Sequence, residues 1–313
     1  MSPEVRRAVE ILKRGGLVAF PTETVYGLGA DASNASAVAR LFAAKGRPVE
    51  HPVIVHFAGA ESAFSWARDV PETARKLAAR FWPGPLTLIL KRSALARDFV
   101  SGGQDTIGLR VPSHPVAHEL LAEFGSGVAA PSANRFGRVS PTTAAHVRED
   151  LGDEVDLVLE GGPSRIGIES TILDLSRGMP ALLRPGHIDA AQLEAVLGAP
   201  VAQRDGAAPR VPGSLERHYA PRTPARLVPP HALDAEIGDS DAAVAVLAFS
   251  RPDERADFWL RMPRDPQAYA QRLYAALREL DGVGCGLILI EEPPDEPAWR
   301  AVRDRLQRAT GQA

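Results

Sequence analysis

Leu17-Val18-Ala19-Phe20-Pro21-Thr22-Glu23-Thr24-Val25-Tyr26-Gly27-Leu28-Gly29 begins as four apolar residues and continues as a loop of hydroxyls and glycines. The apolar four, closed by Pro21, read as a short buried strand, since proline cannot extend a hydrogen-bonded ladder. Polar, glycine-bearing chain set directly against a strand end is how open α/β sheets hold ligands. Upstream, Val5, Ala8, Val9 and Leu12 recur at helical spacing from Pro3 to Arg14, and Gly15-Gly16 stops that helix. Downstream, the same reading predicts helices over 35–45 (ended by Gly46), 71–82, 114–124, 142–151 and 189–197. Strands are predicted over 53–57, 86–90, 106–110, 128–130, 155–160 and 171–175. Strands and helices mixed in this way give an α/β domain, in an order that does not insist on a simple doubly wound sheet.

A chain of 313 residues exceeds the usual single hydrophobic core, so two domains are expected. From Gln203 to Pro224 proline, glycine and arginine crowd together with no apolar period, which is linker composition. Beyond it come a strand (243–249), a helix (265–280), a strand (286–290) and a helix (296–309), a small second α/β unit. The expected division is therefore a catalytic domain over 1–202, a linker over 203–224 and a C-terminal domain over 225–313. A net charge of -3 leaves no global basic field of the kind dedicated nucleic-acid binders carry. The single cysteine, Cys285, excludes an internal disulfide and a cysteine-cluster zinc site, and its apolar surroundings read as a buried, inert thiol. The N-terminus lacks a signal-peptide core, and no apolar run approaches the ~20 residues of a membrane helix, so a cytoplasmic location is expected.

Further polar segments accompany the first: Lys45-Gly46-Arg47-Pro48, Pro131-Ser132-Ala133-Asn134, Ile168-Glu169-Ser170-Thr171-Ile172 and Leu183-Arg184-Pro185-Gly186. Each has a plain structural reading beside a chemical one. Thr22 and Thr24 either terminate a strand or grip a small amino acid. Lys45 suits a helix C-terminus, whereas Arg47 lies past the stop glycine and suits bidentate contact with phosphate. Ser132 is a cap or turn residue, or a phosphate ligand beside a strand end. Ser170 and Thr171 read first as strand residues, and His56 as a satisfied core group at the end of Val53-Ile54-Val55. Arg110 ends a buried strand with a permanent charge, which costs several kcal/mol unless a carboxylate from ligand or protein lies nearby. There is no Gly-Lys-Ser/Thr phosphate loop, no Gly-x-Gly-x-x-Gly after a strand, no His-Glu-x-x-His and no nucleophile elbow. The residues alone give an α/β protein with a cationic, hydroxyl-lined ligand site.

Taken together these five segments, with His218-Tyr219-Ala220-Pro221 in the linker, resemble the YrdC-like threonylcarbamoyl-AMP synthases in their long form. The resemblance covers about Ala8 to Leu197 by motif and the C-terminal part by size and pattern. It implies a twisted open mixed sheet with a deep electropositive cavity, followed by a small Rossmann-like α/β domain. It implies a nucleotidyltransferase that joins L-threonine, bicarbonate and ATP into threonylcarbamoyl-AMP and pyrophosphate, the first step of N6-threonylcarbamoyladenosine formation in tRNA. Thr24, His56, Arg110, Ala130 (through its backbone) and Ser170 would hold threonine. Arg47, His51, Thr106, Ser132, Ser140, Arg184 and Tyr219 would hold ATP. No catalytic nucleophile is implied: Lys45, Arg47, Ser132 and Asn134 would position and neutralise charge, as phosphoryl chemistry requires. Magnesium would come with the ATP phosphates and not from protein ligands. The product would pass to a threonylcarbamoyl transferase acting on tRNA, with no membrane contact and no tight nucleic-acid binding by this chain. Position 51 departs from the pattern, with histidine where asparagine is expected. Two alternatives are weaker: carbamoyl transfer from carbamoyl phosphate, and double-stranded RNA binding in ribosome assembly.

Overall fold

Ser2 caps the first helix (Pro3–Lys13) by accepting from Val5 N, and proline at its first turn costs no hydrogen bond. Val5, Ala8, Val9, Ile11 and Leu12 form its buried face. Caps of this kind set most helix starts in the computed structural model, which describes residues 2–213, 215–253 and 255–312. The described chain forms two compact units.

The first unit comprises Met1–Phe136, Pro141–Arg165 and Glu169–Ser214. Its strands are β1 (Val18–Phe20), β2 (Gly27–Asp31), β3 (Ile54–His56), β4 (Leu86–Lys91), β5 (Thr106–Arg110), β6 (Val128–Ala129), β7 (Leu157–Val158), β8 (Thr171–Asp174), β9 (Ala181–Arg184) and β10 (Ala202–Gln203). They form one open sheet in the order β10-β9-β8-β4-β5-β3-β6-β2-β1-β7. The sheet is mixed, as the resemblance implies: β3–β5 and β4–β8 run parallel, while β4–β5 and β3–β6 run antiparallel. Strand β2 lies inside what reads as loop. Its sequence Gly-Leu-Gly-Ala-Asp lacks the branched residues that signal a strand. Packing explains the glycines, because a Cβ on Gly29 would come within 2.9 Å of Phe20 and 3.0 Å of Val128. Strand β9 was likewise legible only as the approach to the turn at Pro185.

The second unit comprises Gly137–Ser140, Ile166–Ile168 and Leu215–Ala313. Its sheet, β11 (Ala225–Val228), β12 (Val244–Ala248), β13 (Phe258–Arg261) and β14 (Leu287–Glu291), is wholly parallel in the order β11-β14-β12-β13. Sequence reading finds β12 and β14, whose buried apolar runs are unmistakable. It misses β11 and β13, four-residue strands in which half or fewer of the residues are buried, too short for periodicity to register. Helices Leu233–Gly238, Pro266–Asp281 and Arg300–Thr310 complete the unit, the second capped by Asp265 on Ala268 N. The linker-like stretch 203–224 is shared out between the units, and His218, Tyr219 and Ala220 are buried in the second. Small pieces from earlier in the chain join that unit: Ala220 N donates to Gly137 O at 2.9 Å, and Gly167 (φ +81°) lies where a Cβ would meet Gln271 Cα at 2.5 Å. No described helix is long and apolar enough to cross a membrane.

Candidate functional site

The parallel pairing of β3 and β5 sets His56 opposite Arg110, and the antiparallel pairing of β4 and β5 sets Leu88 opposite Leu109. Both strands end buried, so the His56 ring and the Arg110 guanidinium share a region from which water is largely excluded. Arg110 meets Glu23 there: its Nη2 donates to Glu23 Oε1 at 2.6 Å, its Nε donates to Gly84 O at 3.3 Å, and Ser113 N donates to Glu23 Oε2 at 3.0 Å. The two side chains are 5% and 2% exposed. The carboxylate that Arg110 needs is thus supplied by the protein itself, from the loop between β1 and β2. Glu23 lies in the quoted loop between two threonines, and the demand of Arg110 for an anion was the signal that could have found it.

Burial first, and the Arg110 charge second, lower the His56 pKa to about 3, so its imidazole is neutral near pH 7. Its Nδ1 is buried and has no hydrogen-bond partner among the described residues. Against burial and the Arg110 charge, an interaction with the Ile54 backbone favours the protonated ring. On the neighbouring loop Thr22 Oγ1 lies 2.8 Å from Thr24 Oγ1 and donates to Val25 O at 2.6 Å. Ala130 N donates to Ile54 O at 3.0 Å, which ties the end of β6 to β3.

On the other side of β4, Thr87 Oγ1 lies 2.8 Å from Ser170 Oγ. Arg184 donates to the same serine twice, Nη2 to Oγ and Nε to the carbonyl, both at 3.0 Å, and Nη1 donates to Pro212 O at 3.0 Å. Ser170 thereby couples β4, β8 and β9, and Thr87 joins the candidate set.

A second cluster forms around helix Ala35–Lys45, which Asn34 caps and Gly46 ends in the left-handed conformation (φ 61°). That turn sends Lys45 and Arg47 in different directions. Lys45 Nζ, fully buried, donates to Ser132 O at 2.5 Å and to Asn134 O, so it holds the Pro131–Asn134 loop through its backbone. Burial, and then Arg47, push the Lys45 pKa well below its usual range. Arg47 Nη2 donates to Pro52 O at 2.7 Å, and its guanidinium lies 5.6 Å from the Phe136 ring centroid. The His51 ring meets Phe136 edge-on at 5.3 Å, and burial together with Arg47 lowers the His51 pKa. Phe136, absent from the sequence-based set, organises both. Thr106 opens β5, four residues and about 13 Å from Arg110. It therefore stands at the opposite end of the strand from the His56–Arg110 pair.

Ser140 and Tyr219 belong to the second unit. There Arg138 forms a parallel bridge with Ala220, which brings their segments side by side. Tyr219 adopts φ 61° and is 1% exposed, with its ring 5.8 Å from Tyr274 and the Arg305 guanidinium 5.3 Å from its centroid. Among the described residues no three His, Cys, Asp or Glu side chains gather as a group that could hold a metal ion.

Hydroxyls and guanidinium groups of this kind can position and neutralise anionic reactants. The family described as "Telomere recombination" (Sua5, YciO and YrdC) matches residues 10–186, and the "Threonylcarbamoyl-AMP synthase, C-terminal domain" family matches 188–311. The threonylcarbamoyl-AMP synthase of Pyrococcus abyssi is 38% identical over 98% of this chain and 94% of its own. That of Bacillus subtilis is 39% identical over 99% and 93%. The crystal structure of P. abyssi Sua5 complexed with L-threonine superposes with a TM-score of 0.92, covering 98% of this chain and 94% of that one. This chain belongs to the Sua5/YciO/YrdC family, in the form that carries the additional C-terminal domain.

Proposed function

We propose that the first unit is a nucleotidyltransferase that condenses L-threonine, bicarbonate and ATP into L-threonylcarbamoyl-AMP and pyrophosphate. The observation that carries this reading is the buried Nδ1 of a neutral His56, left without a hydrogen-bond partner among the described residues and set in register beside Arg110. A buried polar atom left without a partner calls for an explanation, and a small polar ligand supplies one. That P. abyssi Sua5 has been solved with L-threonine adds support. In this reading Thr24, His56, Arg110, Ser170 and the backbone of Ala130 hold threonine. Because Glu23 already neutralises Arg110, the amino-acid carboxylate shares that guanidinium with it and does not supply its only counter-charge.

The threonine amine captures carbon dioxide, from bicarbonate, as a carbamate and releases a proton. A carbamate oxygen then attacks the α-phosphorus of ATP, the bond from that phosphorus to the bridging oxygen breaks, and pyrophosphate leaves. Such a displacement needs alignment and charge neutralisation, which Arg47 and Arg184 are suited to give, while Lys45 positions the Pro131–Asn134 loop. Magnesium arrives with the triphosphate. Ser132, His51 and Thr106 complete the nucleotide contacts proposed for the first unit, within a cavity expected to be electropositive. The product carries an activated threonylcarbamoyl group, and a transferase acting on tRNA is its expected consumer. Pyrophosphate release from ATP tests the reaction: it should require threonine and bicarbonate together. Equal ATP turnover without threonine would sink it.

A further inference from the structure

Gly108 stands in the middle of β5, and a Cβ there would meet Ile89 Cδ1 at 3.2 Å, Ile54 Cγ1 at 3.3 Å and Thr87 Cγ2 at 3.5 Å. The Thr87 methyl is thus turned toward β5, and in a β-branched side chain held that way the hydroxyl occupies the other branch. That hydroxyl lies 2.8 Å from Ser170 Oγ, at the start of β8 on the far side of β4. The β4–β5 ladder pairs Leu88 with Leu109, and alternation puts their neighbours Thr87 and Arg110 together on the opposite face. Across the sheet Thr87 therefore stands between Arg110 and Ser170, two residues proposed to hold threonine, and it bonds to the second.

A threonine or serine hydroxyl has one hydrogen to give and two lone pairs to receive. Thr87 is fully buried, and among the described residues Ser170 Oγ is the only hydrogen-bond partner of its hydroxyl. Ser170 Oγ also accepts from Arg184 Nη2 at 3.0 Å, while Arg184 Nε and Nη1 donate to the carbonyls of Ser170 and Pro212. If Ser170 gave its hydrogen to Thr87, the Thr87 hydrogen would stay buried with no acceptor, a state that native interiors avoid. With Thr87 as donor, both lone pairs of Ser170 are taken and its own hydrogen is left to point at a ligand. A ligand oxygen then satisfies every hydrogen of the pair, whereas a ligand N–H would find no lone pair left. Two accepted bonds, one of them from a guanidinium, also polarise the Ser170 O–H into a stronger donor.

We propose, resting on the threonine site assigned above, that Thr87 is a positioning residue that fixes Ser170 as a hydrogen-bond donor. Ser170 then takes a carboxylate oxygen of the amino acid and not its nitrogen. The test is calorimetric titration of the full chain with L-threonine and, separately, with ATP. It compares the wild type with Thr87→Val, Thr87→Ser, Ser170→Ala and the double variant Thr87→Val with Ser170→Ala. Valine keeps the methyl against Gly108 and removes only the hydroxyl. Thr87→Val should bind threonine about fivefold more weakly, the worth of one hydrogen bond, with ATP affinity unchanged because Arg184 keeps its acceptors. Thr87→Ser, which keeps the hydroxyl, should stay within about twofold of the wild type. In the Ser170→Ala background Thr87→Val should cost nothing further, since Thr87 acts through Ser170. Threonine affinity unchanged in Thr87→Val, an equal loss in Thr87→Ser, the same loss persisting without the Ser170 hydroxyl, or ATP and threonine weakened alike would each overturn the inference and leave the threonine site standing. A wild type that binds no threonine would sink that site, and this inference with it.

Discussion

Replacing Glu23 with glutamine leaves the Arg110 guanidinium buried with its charge uncompensated. The carboxylate accepts on both oxygens, from Arg110 at 2.6 Å and from Ser113 N at 3.0 Å. Glutamine has one acceptor oxygen and one NH2 group, so one of those donors must face another donor. With the pair 5% and 2% exposed, solvent cannot make up the loss. Removing one partner of a buried ion pair costs about 3–5 kcal/mol, and the isosteric change belongs near 3 kcal/mol because one hydrogen bond survives. For a unit of roughly 200 residues each kcal/mol is worth about 2–4 °C, so the first transition in calorimetry should fall by roughly 6–12 °C. The double variant Glu23→Gln with Arg110→Met should be destabilised by less than the sum of its singles, because the orphaned charge is gone. A Glu23→Gln protein within 0.5 kcal/mol of wild type in urea denaturation, or strict additivity in the double variant, would refute the reasoning.

Three further outcomes follow from neighbouring residues. His56 binds its proton with a pKa of about 3 when folded and about 6.5 when unfolded, so its contribution to stability is complete above pH 6.5 and is lost as pH falls toward 3. Urea midpoints should therefore drop more steeply between pH 6.5 and 4 in the wild type than in His56→Gln, by up to about 1.4 kcal/mol per pH unit; parallel profiles would contradict this. Lys45→Met strips two buried carbonyls of their donor and should cost about 2–3 kcal/mol, measured by denaturation, with faster amide exchange around Ala133. Ser170→Ala removes a contact with both Thr87 and Arg184 and, under the proposed reaction, should raise KM for threonine and for ATP roughly tenfold together; a change confined to one substrate would separate the two sites.

Much of the fold was legible because its signals are local. Stop glycines such as Gly46, capping residues such as Asp265, and the dense apolar runs of β12 and β14 each depend on a few adjacent residues. What escaped depends on partners far apart in sequence. Strand β2 is a strand because β1 and β6 flank it, although its own composition reads as loop. The candidate residues were visible as motifs, but their grouping was not. That Glu23 answers Arg110 across 87 positions, that Phe136 serves Arg47 and His51, and that Ser140 and Tyr219 fall in the second unit are facts of topology.

The account stands or falls on whether one site in the first unit accepts threonine beside the nucleotide. A crystal of the full chain soaked with L-threonine and a non-hydrolysable ATP analogue measures this directly. Threonine within hydrogen-bonding distance of His56 Nδ1 and Ser170, with its nitrogen facing the α-phosphate, is the expected density. Threonine and nucleotide in separate places, or His56 Nδ1 still without a partner in the loaded crystal, would contradict it.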